Sequence, residues 1–457
     1  MLGFELWIAA PRQARGRLCA GMTIRRVEKA MGEHILTGFG FGPIQAGLFV
    51  KEAFESGNFS RLVVAEIDGA LVEAVTGNGG AYYVNVARKE GIDAVRVEGV
   101  EIFNPGVEAD REKLVGAIAE STEIVTSLPS VNFYDAGGAN SVAALIAKGL
   151  NSGKGQGTII YTAENNNHAA EILQKCVEGK GGPGAPGSEK VQFLNTVIGK
   201  MSQVVTEAGR VKELGLEPIA AGIGRAFLVE EFNHILVTRC GTEGFRPGIE
   251  VFVEKGDLLP FEEAKLYGHN AIHALLAYLG AVRGYSTMTE LGADGEIMGI
   301  GREAFIDESG AALIRKYAGL GDELFTEAGY RGYAEDLLIR MTNPYLTDTI
   351  ARAGRDPVRK LGYNDRIFGT MGLAMEYGIE PKRMALGAMA GVAAILGGAV
   401  ENKAPDELRV GDWRSLDVGQ IERILKWVWK QEAGKYAGKF IECVFESKER
   451  LTAFADR

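Results

Sequence analysis

The sequence predicts an α/β fold in two parts: a first half in which short apolar strands alternate with helices, and a second half that is mostly helical. Three observations carry that expectation. A short apolar run from His34 enters the glycines Gly38, Gly40 and Gly42 and then a helix-forming segment, Ala46 to Glu55. Strand-like runs then recur at the spacing of strand–helix–strand units as far as about residue 254. Beyond Pro260 the apolar residues recur every three to four positions, the period of a helix.

Bulk properties set the frame. A chain of 457 residues is long for one core and fits two domains. We place an N-terminal extension at 1–30, a dinucleotide-binding Rossmann-like domain at 31–258 and a mostly α-helical domain at 259–457. The net charge of −10 and isoelectric point of about 5.3 argue against a nucleic-acid partner or an anionic membrane surface. Four scattered cysteines with no C-x-x-C pair argue against a cysteine zinc site or a disulfide framework, and point to a reducing cytoplasm. No apolar run reaches the ~18 residues of a membrane span. Arg12, Arg15 and Arg17 follow the first apolar residues, the wrong order for a signal peptide.

The glycines after His34 sit where a turn can hold a pyrophosphate at a helix N-terminus. Gly38 and Gly40 stand at the first two positions of the G-x-G-x-x-G pattern, and Pro43 replaces the third glycine. The next strand, Arg61 to Asp68, ends in Glu66 and Asp68. Acids there accept hydrogen bonds from ribose hydroxyls and repel a 2′-phosphate, which favours NAD over NADP. Further strands are expected at Val95–Ile102, Glu123–Val131, Gly157–Thr162, Val191–Ile198 and Arg225–Val237, all in one layer. The run ending in Glu164-Asn165 places polar groups at the carboxyl edge of the sheet, where such folds bind ligands, although Asn165 to Asn167 also suit a helix cap. Gly179 to Gly187 reads as a flexible loop.

The helix expected after Pro260 carries Lys265, His269, Asn270 and His273 within an arc of about 140° at 100° per residue. A lysine, a carboxamide and two imidazoles on one face are costly to set against a core, so this face is the catalytic candidate. Arg340 to Arg366 is a basic run in an acidic protein: either a solvated face with Asp partners, or a pocket for a phosphate or carboxylate. Asn343-Pro344 should end one helix and Asn364 should cap another.

These residues resemble a known family, the polyol-specific long-chain dehydrogenases, or mannitol dehydrogenase family. Its Lys-x4-Asn-x2-His signature stands complete as Lys265, Asn270 and His273, and the resemblance covers about residues 34 to 400. Arg355-Asp-Pro-Val-Arg359-Lys360-Leu, with Asp365-Arg366 after it, is similar to the mannitol-1-phosphate 5-dehydrogenase branch. The resemblance implies NAD as cofactor, with Gly38, Gly40, Gly42, Glu66, Asp68 and Asn165 around it. It implies Lys265 as acid/base, Asn270 and His273 on the reacting oxygen, and no metal. Arg340, Asn343, Arg359, Lys360 and Arg366 would face the substrate. That substrate would be a polyol or its ketose, such as mannitol 1-phosphate and fructose 6-phosphate. Sister activities are a free polyol 2-dehydrogenase and a fructuronate or tagaturonate reductase. The family often has Asp-Arg where this chain has Gly199-Lys200. Two rivals come from other classes: a metal site built on His269 and His273 with Glu262 or Glu263, and a dinucleotide-binding protein without catalysis.

Overall fold

The computed structural model describes residues 34–153, 157–182, 190–397, 405–430 and 434–457. The extension expected at 1–30 and most of the Gly179–Gly187 loop lie outside the described residues. The chain divides into two compact units between Leu259 and Pro260.

The first unit holds β1 (His34–Phe39), β2 (Phe59–Ala65), β3 (Tyr82–Ala87), β4 (Ile92–Val97), β5 (Val100–Phe103), β6 (Glu123–Thr126), β7 (Thr158–Thr162), β8 (Val191–Ile198), β9 (Ser202–Val205), β10 (Ala226–Glu230), β11 (Ile235–Thr238) and β12 (Phe252–Lys255). The larger sheet runs β12-β11-β8-β7-β6-β1-β2-β5. Its six strands from β5 to β8 are parallel. Taken in chain order they lie 3-2-1-4-5-6, the order of a doubly wound dinucleotide-binding sheet. Neighbouring residues serve opposite faces, as a period of two requires. Val64, Val125 and Ile159 pack in one core cluster, and Val63, Ile124 and Ile160 in the other. Burial on both faces explains why these strands read as continuous apolar runs.

A second sheet, β4-β3-β10-β9, overturns two of the expected strands. Val95–Ile102 is not one strand. It breaks at Gly99, with β4 in the small sheet and β5 in the large one. Arg225–Val237 likewise divides into β10 and β11, in different sheets, so the expected single layer is two. Glu123–Val131 keeps a strand only as far as Thr126.

The second unit, as expected, is helical. A helix starting at Leu259 passes through a π-helical turn, Ala264–Asn270, into Ala271–Val282. That last stretch is apolar on nearly every side and buried. Lys382–Gly397 packs on it, with Gly387 against Leu275 and Gly391 against Leu361 and Tyr278. Trp429 is buried among Tyr363, Phe368 and Phe440 and donates its indole N–H to the Leu361 carbonyl at 3.0 Å, so it is a packing anchor. Asp365, not Asn364, caps the helix Arg366–Glu376.

Glu308 ties Lys382–Gly397 down from within the core. Its buried carboxylate accepts the Arg383 and Met384 N–H groups at 2.7 and 2.9 Å, two of the donors a helix start leaves unpaired. Burial pushes this carboxyl up, to about 7, against 4.5 for an ordinary glutamate. A raised carboxyl binds its proton in the folded state over a range where the unfolded chain has released it. Its contribution to stability is therefore complete below about 4.5 and lost as the pH rises through about 7, at roughly 1.4 kcal/mol per pH unit. In Glu308→Gln that slope should vanish, and one N–H facing the new amide should cost ~1–3 kcal/mol. Urea denaturation of both proteins at pH 5, 6 and 7 checks this, and an unchanged slope in the variant would refute it.

Candidate active site

The expected site residues fall into two groups, one in each unit. In the first unit the strand order reverses between β1 and β6, the switch point where such sheets bind ligands. The turn after β1 stands there. Gly40 lies in the left-handed region at φ +85°, and a Cβ on it would come within 2.7 Å of the Ser127 carbonyl, just past β6. A Cβ on Gly42 would meet nothing within 4 Å, so the turn is open at that point. Gly38 has a different job, since a side chain there would collide with the buried Gln45 amide.

Glu66, at the end of β2, accepts the Phe41 N–H of the turn and the Asp68 N–H, both at 2.8 Å. It ties the two strand ends together. Asp68 caps the helix Gly69–Gly77 and pairs with Arg225, whose hydrogen bond holds its carboxyl below the usual aspartate range. The carboxylate of Asp68 is thus already committed locally. Between the two acids Ile67 is 81% exposed, an apolar surface beside the turn that the sequence reading missed.

Asn165 is exposed just past β7. Asn166 accepts the His168 N–H in a local turn, and Asn195 of β8 accepts the Ala170 N–H of the following helix. The helix start is therefore held both from within the Asn165–Asn167 run, where the Asn166 carbonyl also accepts the Ala169 N–H at 3.2 Å, and from Asn195. Next to it, Glu164 is buried and accepts Thr126 Oγ1 at 2.9 Å, the Leu128 N–H at 2.8 Å and the Tyr134 hydroxyl. Burial pushes its carboxyl up. It holds the loop after β6 onto the end of β7.

In the second unit the π-helical turn changes the geometry expected of the motif. On an α-helix Lys265 and Asn270 would stand about 140° apart. The i→i+5 winding of Ala264–Asn270 instead stacks residues five apart. Thr370 braces the widened turn by donating to the Tyr267 carbonyl at 3.1 Å. Lys265 is half-buried; burial first, and then the cation of Arg366, bring its ammonium down from 10.5 to about 8. His269 is buried, and that burial, together with the surrounding cations, Arg340 first, pushes its imidazole well below the usual histidine range.

His273 opens the buried helix, with its Nε2 3.1 Å from Asp348 Oδ2. The other oxygen of Asp348 accepts Arg352 Nε at 2.7 Å. Burial pushes the Asp348 carboxyl up, but His273 and Arg352 outweigh it and bring it down to about 2. Nothing in the linear sequence marks this carboxylate as a partner of His273, 75 residues away.

The basic run is largely paired within itself. Arg340 meets Asp336 at 3.0 Å, Arg352 meets Asp348, Arg359 meets Asp356 at 2.5 Å, and Arg366 meets Asp365 at 2.7 Å. Arg359 is exposed. Lys360 is buried and gives its ammonium to the Ala353 carbonyl; burial and then Arg366 bring it down to about 7. Asn343 accepts the Tyr345 N–H at 2.9 Å in the turn that ends Glu327–Met341. Of the residues in the metal rival, Glu263 is turned onto Lys316 and Tyr317, and His273 Nε2 onto Asp348. Among the described residues no group of three or more His, Cys, Asp or Glu is placed to hold a metal ion. No described helix is long and apolar enough to cross a membrane.

A doubly wound sheet followed by a helical unit recurs among known structures. A D-sorbitol dehydrogenase in substrate-free form superposes with a TM-score of 0.71 at 14% identity, over 93% of this chain and 95% of that one. The Pseudomonas fluorescens mannitol 2-dehydrogenase, a ternary complex with NAD and D-mannitol, gives 0.62 at 15% identity, over 93% and 94%. At these identities the likeness is one of fold. Residues 257–414 match the family model described as Mannitol dehydrogenase C-terminal domain.

The geometry of the glycine turn makes a stability prediction. Gly40→Ala should lower stability by ~1–3 kcal/mol, from the left-handed backbone and the contact with Ser127. Gly42→Ala should leave it within about 0.5 kcal/mol. Paired urea melts compare them, and equal losses would remove the special role of Gly40.

Proposed function

We propose that the protein is an NAD-dependent polyol dehydrogenase that oxidises one secondary hydroxyl to a ketone, with Lys265 as acid/base. The observation that carries the reading is the lysine itself. It is half-buried, brought down to about 8, and shares one π-helical turn with Asn270. A base that titrates near the working pH is the most effective proton carrier.

The first unit fits a dinucleotide. Its left-handed Gly40 stands at the switch point, Gly42 leaves room above the turn, and Glu66 marks the end of β2 where the ribose hydroxyls would lie. The bound nicotinamide supplies the hydride acceptor. For the chain's own part, Lys265 Nζ in its neutral form takes the hydroxyl proton, and the Asn270 amide donates to the oxygen as charge develops. In the reverse direction the Lys265 ammonium returns the proton to the carbonyl oxygen.

The pairing within the basic run favours a free polyol over a phosphorylated one. Four of its arginines already have acidic partners close at hand, and Lys360 is spent on a backbone carbonyl. A hexitol phosphate is the second reading, favoured by Arg366, which is close enough to Lys265 to depress it.

Lys265→Ala should lower kcat by ~10²–10⁴-fold while NADH binding, read by fluorescence titration, survives. For the wild type, kcat/KM for oxidation should rise with pH and level off above about 8, while reduction should fall above it, because one direction needs neutral lysine and the other its ammonium. A flat profile in both directions, or an active Lys265→Ala, would sink the assignment. Assays of mannitol, sorbitol and fructose beside mannitol 1-phosphate, fructose 6-phosphate, tagaturonate and fructuronate separate the substrates. Loss of activity with a chelator would return the metal reading, and no turnover on any of them would favour a non-catalytic binding protein.

A further inference from the structure

His273 stands in the three-residue motif, yet its environment decides whether it can do what a motif position suggests. An imidazole can donate to an oxyanion only from a ring nitrogen that carries a proton. In this protein Nε2 is spent on Asp348 Oδ2, at 3.1 Å. An ionised carboxylate only accepts, so the proton of that bond sits on Nε2. In the neutral imidazole this leaves Nδ1 with a lone pair and no proton. Nε2–Asp348 is the one hydrogen bond His273 makes among the described residues.

Asp348 is built as a fixed support. Its side chain is 4% exposed, and its second oxygen is held by Arg352 at 2.7 Å. Its carbonyl accepts the Met288 N–H at 2.9 Å, Thr349 pairs with Thr287 in an isolated β-bridge, and Ile350 N–H donates to the Ser286 carbonyl at 3.0 Å. Immediately before it, Thr347 lies in the left-handed region at φ +50°, an uncommon and strained place for a β-branched residue. Such strain persists where surrounding contacts over-determine the backbone, and here the strained residue delivers the carboxylate that His273 meets.

We infer that Asp348 is a positioning residue that fixes His273 in the tautomer with Nδ1 unprotonated, so that His273 meets the substrate as a hydrogen-bond acceptor. Its partner is then a hydroxyl neighbouring the reacting carbon, and not the reacting oxygen. Stabilising the developing oxyanion falls to Asn270 and to Lys265. The inference rests on the polyol dehydrogenase reading, and it names the substrate feature that His273 selects: a second hydroxyl able to donate.

Asp348→Asn separates this from a merely structural brace. Arg352 needs an acceptor and takes the amide oxygen, which turns the NH₂ group onto Nε2 and forces the proton to Nδ1. We expect imidazole ¹⁵N resonances of His273 to exchange their protonated and unprotonated signatures in Asp348→Asn. We also expect kcat/KM for polyol oxidation to fall at least ~100-fold with NADH binding unchanged. In a His273→Ala background Asp348→Asn should cost almost nothing further. An unexchanged tautomer or independent, multiplying losses would overturn the inference. Substrate analogues test it in the wild type, should Asp348→Asn fail to fold. Replacing the neighbouring hydroxyl by hydrogen or by fluorine, which can accept but not donate, should lower kcat/KM to the same extent. Rescue by fluorine would mean that His273 donates, and would overturn it. Activity in Lys265→Ala would instead bring down the underlying assignment, so the two failures are distinguishable.

Discussion

An ammonium group half-withdrawn from water is the constraint to which the helical unit answers. Bringing Lys265 from 10.5 to about 8 corresponds to roughly 3 kcal/mol of lost preference for its charged form. Burial is the larger cause, and Arg366 adds to it. A regular α-helix would set Lys265 and Asn270 about 140° apart, at the two edges of the polar arc. The π-helical turn gathers them, at the expense of poorer helical geometry that tertiary contacts must offset. Thr370 supplies one such contact, and the buried helix Ala271–Val282 anchors the turn from its other end.

The same unit shows how a basic segment can sit in an acidic protein with much of its charge paired locally. Asp348 and Arg352 stand four apart, and Asp356 and Arg359 three apart, so each pair can close locally. The exposed Arg359–Asp356 pair contributes little to stability, but both pairs spend charge. Arg366 and Arg340, though paired with Asp365 and Asp336, still act on the turn: Arg366 on Lys265, and both on His269.

Much of this was legible in the chain, and the parts that were not share a cause. Apolar runs located the strands because both sheet faces are buried, but apolarity reports burial and not membership of a particular sheet. Val95–Ile102 and Arg225–Val237 therefore read as single strands, when each supplies two sheets. Residue type and spacing singled out Lys265, Asn270 and His273. Their mutual angle was misjudged, because hydrophobic periodicity carries no mark of a π-helical turn. The i,i+4 partner of Arg352 was visible in the sequence. The partner of His273 was not, because a contact across 75 residues exists only once the chain has folded.

That contact bears on how far a motif can assign roles. Lysine, asparagine and histidine at fixed spacing say which groups share a helix, and they do not say where the proton of a histidine resides. Here it is set by a carboxylate on a separate segment, held by a backbone bridge and an arginine and preceded by a threonine in a strained conformation. Two chains with the same three residues could therefore present opposite hydrogen-bonding faces to a substrate, one donating and one accepting. Among polyols, which differ in the placement of hydroxyls, that difference is itself a means of selection. On the polyol dehydrogenase reading proposed above, the selectivity of the helix is fixed less by its own sequence than by the turn that delivers Asp348.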